Sequence, residues 1–178
     1  MLDKNNIKHI YPLSPLQEGI LFHYIQNNKS EAYFEQTAYH IEGVIDYKLF
    51  DRAFKLLIEK YDVLRTAFVF KKVDAPKQVV LKERSSSAFV MDISDLNQQE
   101  KDQYIEYFSQ KDRNNKFDLT KDPLVRFSIL KLSDKSNVII WSFHHIILDG
   151  WSVGMLLKDL MGMYNSLDAD TFFDRKAN

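Results

Sequence analysis

Apolar residues recur along this chain at two periods, and the switches between them mark out its elements. Leu49, Phe50, Ala53, Phe54, Leu57 and Tyr61 fall at three- and four-residue spacings, so a helix here carries one apolar stripe for a core, with Asp46 placed to cap it. Earlier, Ser14 followed by Pro15 and Gln17 has the form of a helix entry: a capping hydroxyl, a proline at the first helical position and an amide that reaches back to close a capping box. This predicts a helix over 15–26. Two further helices are expected, over 98–111 with Tyr104, Ile105 and Phe108 on the buried side, and over 152–165 with Val153, Leu156, Leu157 and Leu160 inward and Ser152 as cap.

Runs rich in aromatic and β-branched residues predict strands over 33–41, ended by Gly43, and over 64–70, 79–81 and 89–92. The apolar runs 124–132 and 138–144, joined by the turn-rich Ser133-Asp134-Lys135-Ser136, read as a hairpin. The second of them barely alternates, which implies burial on both faces. Helices and strands are mixed without strict alternation, so the expected class is α/β, a mixed sheet with helices packed on it. Residues 1–10 read as a lead-in, 11–166 as one globular unit, and the mostly polar 167–178 as a linker or disordered tail.

Composition narrows the function classes. The 178 residues are 45% hydrophobic, enough for one compact domain with a sizeable core. The 24 basic and 25 acidic residues are interspersed, so no stripe of one sign attracts nucleic acid or an anionic membrane. The absence of cysteine removes disulfides, thiolate metal sites and a cysteine nucleophile, and fits a reducing compartment. The start, Met1 to Asn6, is polar and acidic rather than basic and then apolar, and no apolar run is long enough to span a bilayer, so a cytoplasmic location is expected.

The segment with most chemistry is Phe143-His144-His145-Ile146-Ile147-Leu148-Asp149-Gly150-Trp151-Ser152. It lies where a buried strand passes through a loop into a helix, a place that holds side chains rigidly beside a cleft. An imidazole, with an ordinary pKa of about 6.5, can take a proton from an attacking amine or alcohol. Neighbouring strand residues point to opposite faces, so one histidine is expected to be reactive and the other structural. Asp149 can return across the loop to orient an imidazole or pair with an arginine, and Gly150 would permit a tight return. Two adjacent strand histidines diverge and no further ligands cluster with them, so no metal is expected. On the dipeptide alone, a packed core histidine and a reactive one both stand.

Four ordered stretches carry a resemblance. His144 to Gly150 resembles the HHxxxDG signature of condensation domains of nonribosomal peptide synthetases, within the chloramphenicol acetyltransferase-like superfamily. Tyr61-Asp62-Val63-Leu64-Arg65-Thr66-Ala67-Phe68 is similar to that family's RHExLRTxF motif, with Lys60-Tyr61-Asp62 in place of Arg-His-Glu. Leu13-Ser14-Pro15-Leu16-Gln17 resembles its first motif, and Phe117-Asp118-Leu119 with Pro123-Leu124-Val125-Arg126 its stretch before the signature strand. Such matches would not be collinear by chance.

The resemblance implies the N-terminal lobe of a two-lobed domain that forms an amide between a carrier-bound peptidyl or aminoacyl donor and a carrier-bound aminoacyl acceptor. It implies that His145 faces the tunnel where thioester and amine meet, as base or as positioning group, while His144 fixes the strand end. Asp149 would form a structural ion pair with Arg65, and Gly150 would keep space beside the pantetheine tunnel. Trp151 would be core or tunnel wall, and His23 would line the tunnel entrance or pack. No cofactor binds directly; phosphopantetheine arrives on donor and acceptor peptidyl carrier proteins, with an adenylation domain adjacent. The C-terminal lobe would lie outside this chain, leaving the single lobe inactive and an apolar face exposed to self-association. Tyr11 to His23 departs from the SxAQxR form and is closer to the subtype that accepts a donor ending in a D residue. The alternatives are a stand-alone acyltransferase with its cleft between identical subunits, and a non-catalytic module that binds carrier proteins.

Overall fold

The structure, a computed structural model, describes residues 3–27 and 31–177, with side-chain surroundings described as far as residue 167. Its elements run β1 (Ile7–Pro12), α1 (Pro15–Gln26), β2 (Phe34–Glu42), α2 (Tyr47–Lys60), β3 (Thr66–Val69), β4 (Lys77–Leu81), β5 (Phe89–Asp92), α3 (Gln98–Asn114), β6 (Val125–Ser133), β7 (Ser136–His144) and α4 (Gly150–Ala177). The strands form two sheets. β1-β4-β3 is antiparallel throughout, and β2-β7-β6-β5 is mixed, with β5 parallel to β6 and the other neighbours antiparallel.

The larger sheet organises the molecule. Alternate residues of β6 and β7 serve opposite faces, as the period of two requires. Val125, Phe127 and Ile129 with Ile139, Trp141 and Phe143 join the main core, to which α1, α2 and α4 contribute Leu21, Phe54 and Leu160. Leu130, Val138 and Ile140 point the other way, where Tyr104, Ile105 and Phe108 of α3 cover them. This double coverage is why the β7 run is apolar at nearly every position. Stacking of Phe127 on Trp141, with ring centroids 5.2 Å apart, and the edge of Phe54 against Phe127 at 5.0 Å fix the centre.

The local start signals behave as their chemistry requires. Ser14 Oγ accepts from the Gln17 amide and Gln17 Oε1 accepts from the Ser14 amide, closing the capping box of α1. Asp46 accepts from the amides of Lys48 and Leu49 at the head of α2. Three features differ from expectation. The expected lead-in contains most of strand β1, which pairs with the distant β4. Leu64 and Arg65, expected to open a strand, instead belong to a short 3-10 helix, Asp62–Arg65, and β3 begins after it. α4 starts earlier than expected and continues to Ala177, through the segment expected as a linker; Asn178 lies outside the described residues. No helix among the described residues is long and apolar enough to cross a membrane.

Candidate active site

β7 ends at His144, and the next three residues make a tight turn fastened on several sides. The His144 amide donates to the Leu124 carbonyl at 3.0 Å, the His145 amide to the Tyr33 carbonyl at 2.8 Å, and the Ile147 amide back to the His144 carbonyl at 3.2 Å. The Ile146 amide donates to His144 Nδ1 at 3.1 Å. Gln17 of α1 donates through Nε2 to the Ile146 carbonyl at 3.2 Å. The turn is tied to the residues that lead into β2 and β6, to its own histidine and to a helix.

The two histidines have different surroundings. His144 is 5% exposed, with its ring edge-on to Tyr24 and Phe117 at centroid distances of 6.1 and 6.5 Å. Burial, aided by the neighbouring His145, lowers its pKa to about 4. It is therefore neutral at physiological pH, and Nδ1 keeps the lone pair that accepts from Ile146. His145 is half-buried. Its Nδ1 is sealed from solvent and meets no hydrogen-bond partner among the described residues. One histidine shapes the turn and the other is displayed on it.

The second half of the signature is arranged differently from expectation. Asp149 and Arg65 do not pair. Arg65 is buried within the second motif, where its guanidinium donates to the Leu81 carbonyl at 3.1 Å, to the carbonyls of Ile58 and Glu59, and to Asp62. Asp62 sits one 3-10 turn earlier and is the nearer carboxylate, held below the usual range chiefly by Lys8. Asp149 is exposed and caps α4: its Oδ1 accepts from the Ser152 amide at 2.8 Å and from Ser152 Oγ at 2.7 Å, which lowers its pKa. The cap is thus Asp149 rather than Ser152, because a carboxylate at this place satisfies two donors at once.

Gly150 has no positive φ, and an added Cβ there would meet nothing within 4 Å among the described residues, so neither backbone strain nor crowding of a Cβ by them demands glycine. Trp151 is 89% exposed and belongs to no core of this chain. His23 is exposed and lies 6.0 Å from the Tyr33 ring. With Tyr24, Tyr33, Phe117 and His144 it lines a narrow pocket of about 30 Å³, on the His144 side of the turn rather than with His145.

The second motif and the signature do meet, along a groove of about 240 Å³ lined by Tyr61, Val63, Ile147, Leu148, Ser152 and Met155. Sequence reasoning also missed the support behind β7. Asp112 of α3 accepts from Ser142 Oγ at 2.5 Å and from Gln36 Nε2 at 2.9 Å, and lies 3.1 Å from Arg126 Nε. The Arg126 guanidinium rests 4.2 Å from the centre of Phe117, the ring that flanks His144. The only early signal was Ser142, a polar residue inside an otherwise apolar run. Among the described residues no group of three or more His, Asp or Glu could hold a metal ion.

The half-buried His145 thus lies on a strand-end turn, two residues before Ile147, which lines the apolar groove. Residues 7–174 match the condensation domain family, and the chain belongs to it. The chain is 41% identical over 164 residues to gramicidin S synthase 2 of Brevibacillus brevis, covering 92% of this chain and 4% of that protein. It is 42% identical over 167 residues to tyrocidine synthase 3 of Brevibacillus parabrevis, covering 94% and 2%. Among solved structures, the starter condensation domain of rhizomide synthetase RzmA superposes with a TM-score of 0.83 at 24% identity, over 92% of this chain and 40% of that one. A four-domain nonribosomal peptide synthetase bound to AMP and glycine superposes at 0.75 and 21% identity, over 89% and 12%. The chain therefore spans a small part of the synthetases it resembles and about two fifths of a solved condensation domain.

Proposed function

We propose that this chain is the N-terminal lobe of a condensation domain and that His145 stands at its reaction centre. There, the amine of a carrier-bound aminoacyl acceptor attacks the thioester carbon of a carrier-bound donor. The C–N bond forms, the tetrahedral oxyanion collapses, and the C–S bond breaks to release the donor carrier's phosphopantetheine thiol. The observation that carries the reading is the division within the pair: His144 is buried and bonded into the turn, while His145 is only half-buried and makes no side-chain hydrogen bond through Nδ1.

An α-amino group has an ordinary pKa of about 8, so little force is needed to deprotonate it. His145 therefore contributes at least as much by positioning the amine and stabilising the tetrahedral intermediate as by proton transfer. The form of the Tyr11 to His23 stretch supports a donor ending in a D residue. Gly150, at which an added Cβ would meet nothing among the described residues, leaves room for a pantetheine arm or the second lobe.

The test is dipeptide formation from loaded carriers by a complete condensation domain bearing this chain. His145→Ala is expected to lower turnover at least about 100-fold, within the range general acid–base and positioning groups contribute, while the protein remains folded. The 178-residue chain alone is expected to give no dipeptide. Undiminished turnover of His145→Ala, or product from the chain alone, would overturn the reading.

A further inference from the structure

We infer that Gln17 is a positioning residue that holds the His145-bearing turn through its side-chain amide, an inference that rests on His145 being the reaction-centre residue. A glutamine amide has one acceptor oxygen and two N–H donors, and here each is committed. Oε1 accepts from the Ser14 amide at 2.9 Å, completing the cap of α1. Nε2 donates to the Ile146 carbonyl at 3.2 Å and to Gln78 Oε1 at 3.3 Å. Gln78 is itself anchored, its Nε2 donating to the Pro12 carbonyl at 2.9 Å. Nothing is left free to rotate. Reversing the Gln17 amide would set its oxygen against two acceptors and its nitrogen against a donor.

The identity of the residue follows from this second task. A capping box accepts glutamate as well as glutamine at this place, because only an acceptor is needed. The Ile146 carbonyl needs a donor, which a carboxylate lacks. Ile146 is 3% exposed and directly follows His145, so fixing its carbonyl, in the peptide that joins it to Ile147, anchors the turn immediately after the His145 residue. Gln17 thereby joins the head of a helix, whose Ile20 and Leu21 are buried in the core, to the turn that displays the reactive ring. Misplacement of a reacting group by about 1 Å can cost about 100-fold in rate.

Gln17→Glu separates the two tasks, since it keeps the cap and removes the donor. In a complete condensation domain bearing this chain, it is expected to lower kcat about 10- to 100-fold with KM unchanged, while the domain stays folded at a lowered melting temperature, because a carboxylate oxygen then faces two acceptors. In the 178-residue chain it is expected to move the backbone amide resonances of His145 and Ile147 while leaving those of α2 in place. A kcat within about twofold of the parent would overturn the inference. His145→Ala measured alongside keeps the two ideas apart: full activity there refutes the reaction-centre reading, whereas its loss combined with a normal Gln17→Glu enzyme refutes only the role of Gln17. Should Gln17→Glu fail to fold, the unaltered chain decides. Its Gln17 Nε2 protons are expected to exchange slowly with solvent and to resonate apart from exposed glutamines, and exchange at the free-amide rate would overturn the inference.

Discussion

The two halves of the signature are built on opposite principles. His144 to Leu148 is buried apart from the half-buried His145, and its backbone is bonded to the residues leading into β2 and β6 and to α1. Asp149 to Trp151 is exposed, and its main internal bonds are those of a helix cap. The first half is therefore determined by this chain. The second half satisfies itself locally and turns its remaining features, the bare Cα of Gly150 and the exposed ring of Trp151, outward. A motif that reads as one unit in sequence is thus part framework and part open surface.

Stability measurements can break this contrast. The largest effect is expected from His144→Ala, which leaves a cavity and strips the buried Ile146 amide of its acceptor. The expected loss is about 3 kcal/mol, read from denaturant unfolding of the chain. A loss below about 1 kcal/mol would place His144 on the open side of the comparison.

Next comes acid. The unfolded chain protonates His144 near pH 6.5, whereas the buried ring takes its proton only near 4. Between those values the unfolded state binds more protons, so stability is full above pH 6.5 and falls as the pH drops towards 4. The loss attributable to this residue is roughly 3 kcal/mol, since one pKa unit corresponds to about 1.4 kcal/mol. In His144→Ala that part of the pH dependence is expected to vanish.

Smaller effects sharpen the other half. Asp149→Ala removes a helix cap and is expected to cost about 1 kcal/mol. Removing one partner of a buried ion pair would cost about 3–5 kcal/mol instead, so urea unfolding of this variant separates the observed cap from the expected pair with Arg65. Gly150→Ala and Trp151→Ala are expected to change stability by no more than about 0.5 kcal/mol. Their effect on condensation by the complete domain would then report contacts made outside this chain.

What was legible in the sequence follows the range of the interactions involved. The caps at Ser14 and Asp46, the stripe of α2 and the hairpin of β6 and β7 are settled by residues a few positions apart, and each was readable. β1 was not, because its largely exposed Ile7 to Pro12 run shows no alternation and is a strand only through distant β4. The split into two sheets depends on such distant registers too. The resemblance drew attention to the signature turn, but it placed Arg65 with Asp149, where the nearer Asp62 takes the guanidinium. Asp149 and Ser152 are both good capping residues, and only geometry shows that Asp149 holds the end while Ser152 donates to it. Gln17 was visible as a capping residue, but its reach to Ile146 spans most of the chain and leaves no local mark.

At the centre stands one claim, that a neutral His144 builds the turn on which His145 is displayed. Nitrogen-15 NMR of the two imidazoles in the 178-residue chain, followed downward from mildly alkaline pH, tests it directly. His144 is expected to stay neutral, with the proton on Nε2 and Nδ1 accepting a hydrogen bond, until the pH nears 4. A His144 that titrates with a midpoint near the ordinary value of about 6.5, or that carries its neutral proton on Nδ1, would contradict it.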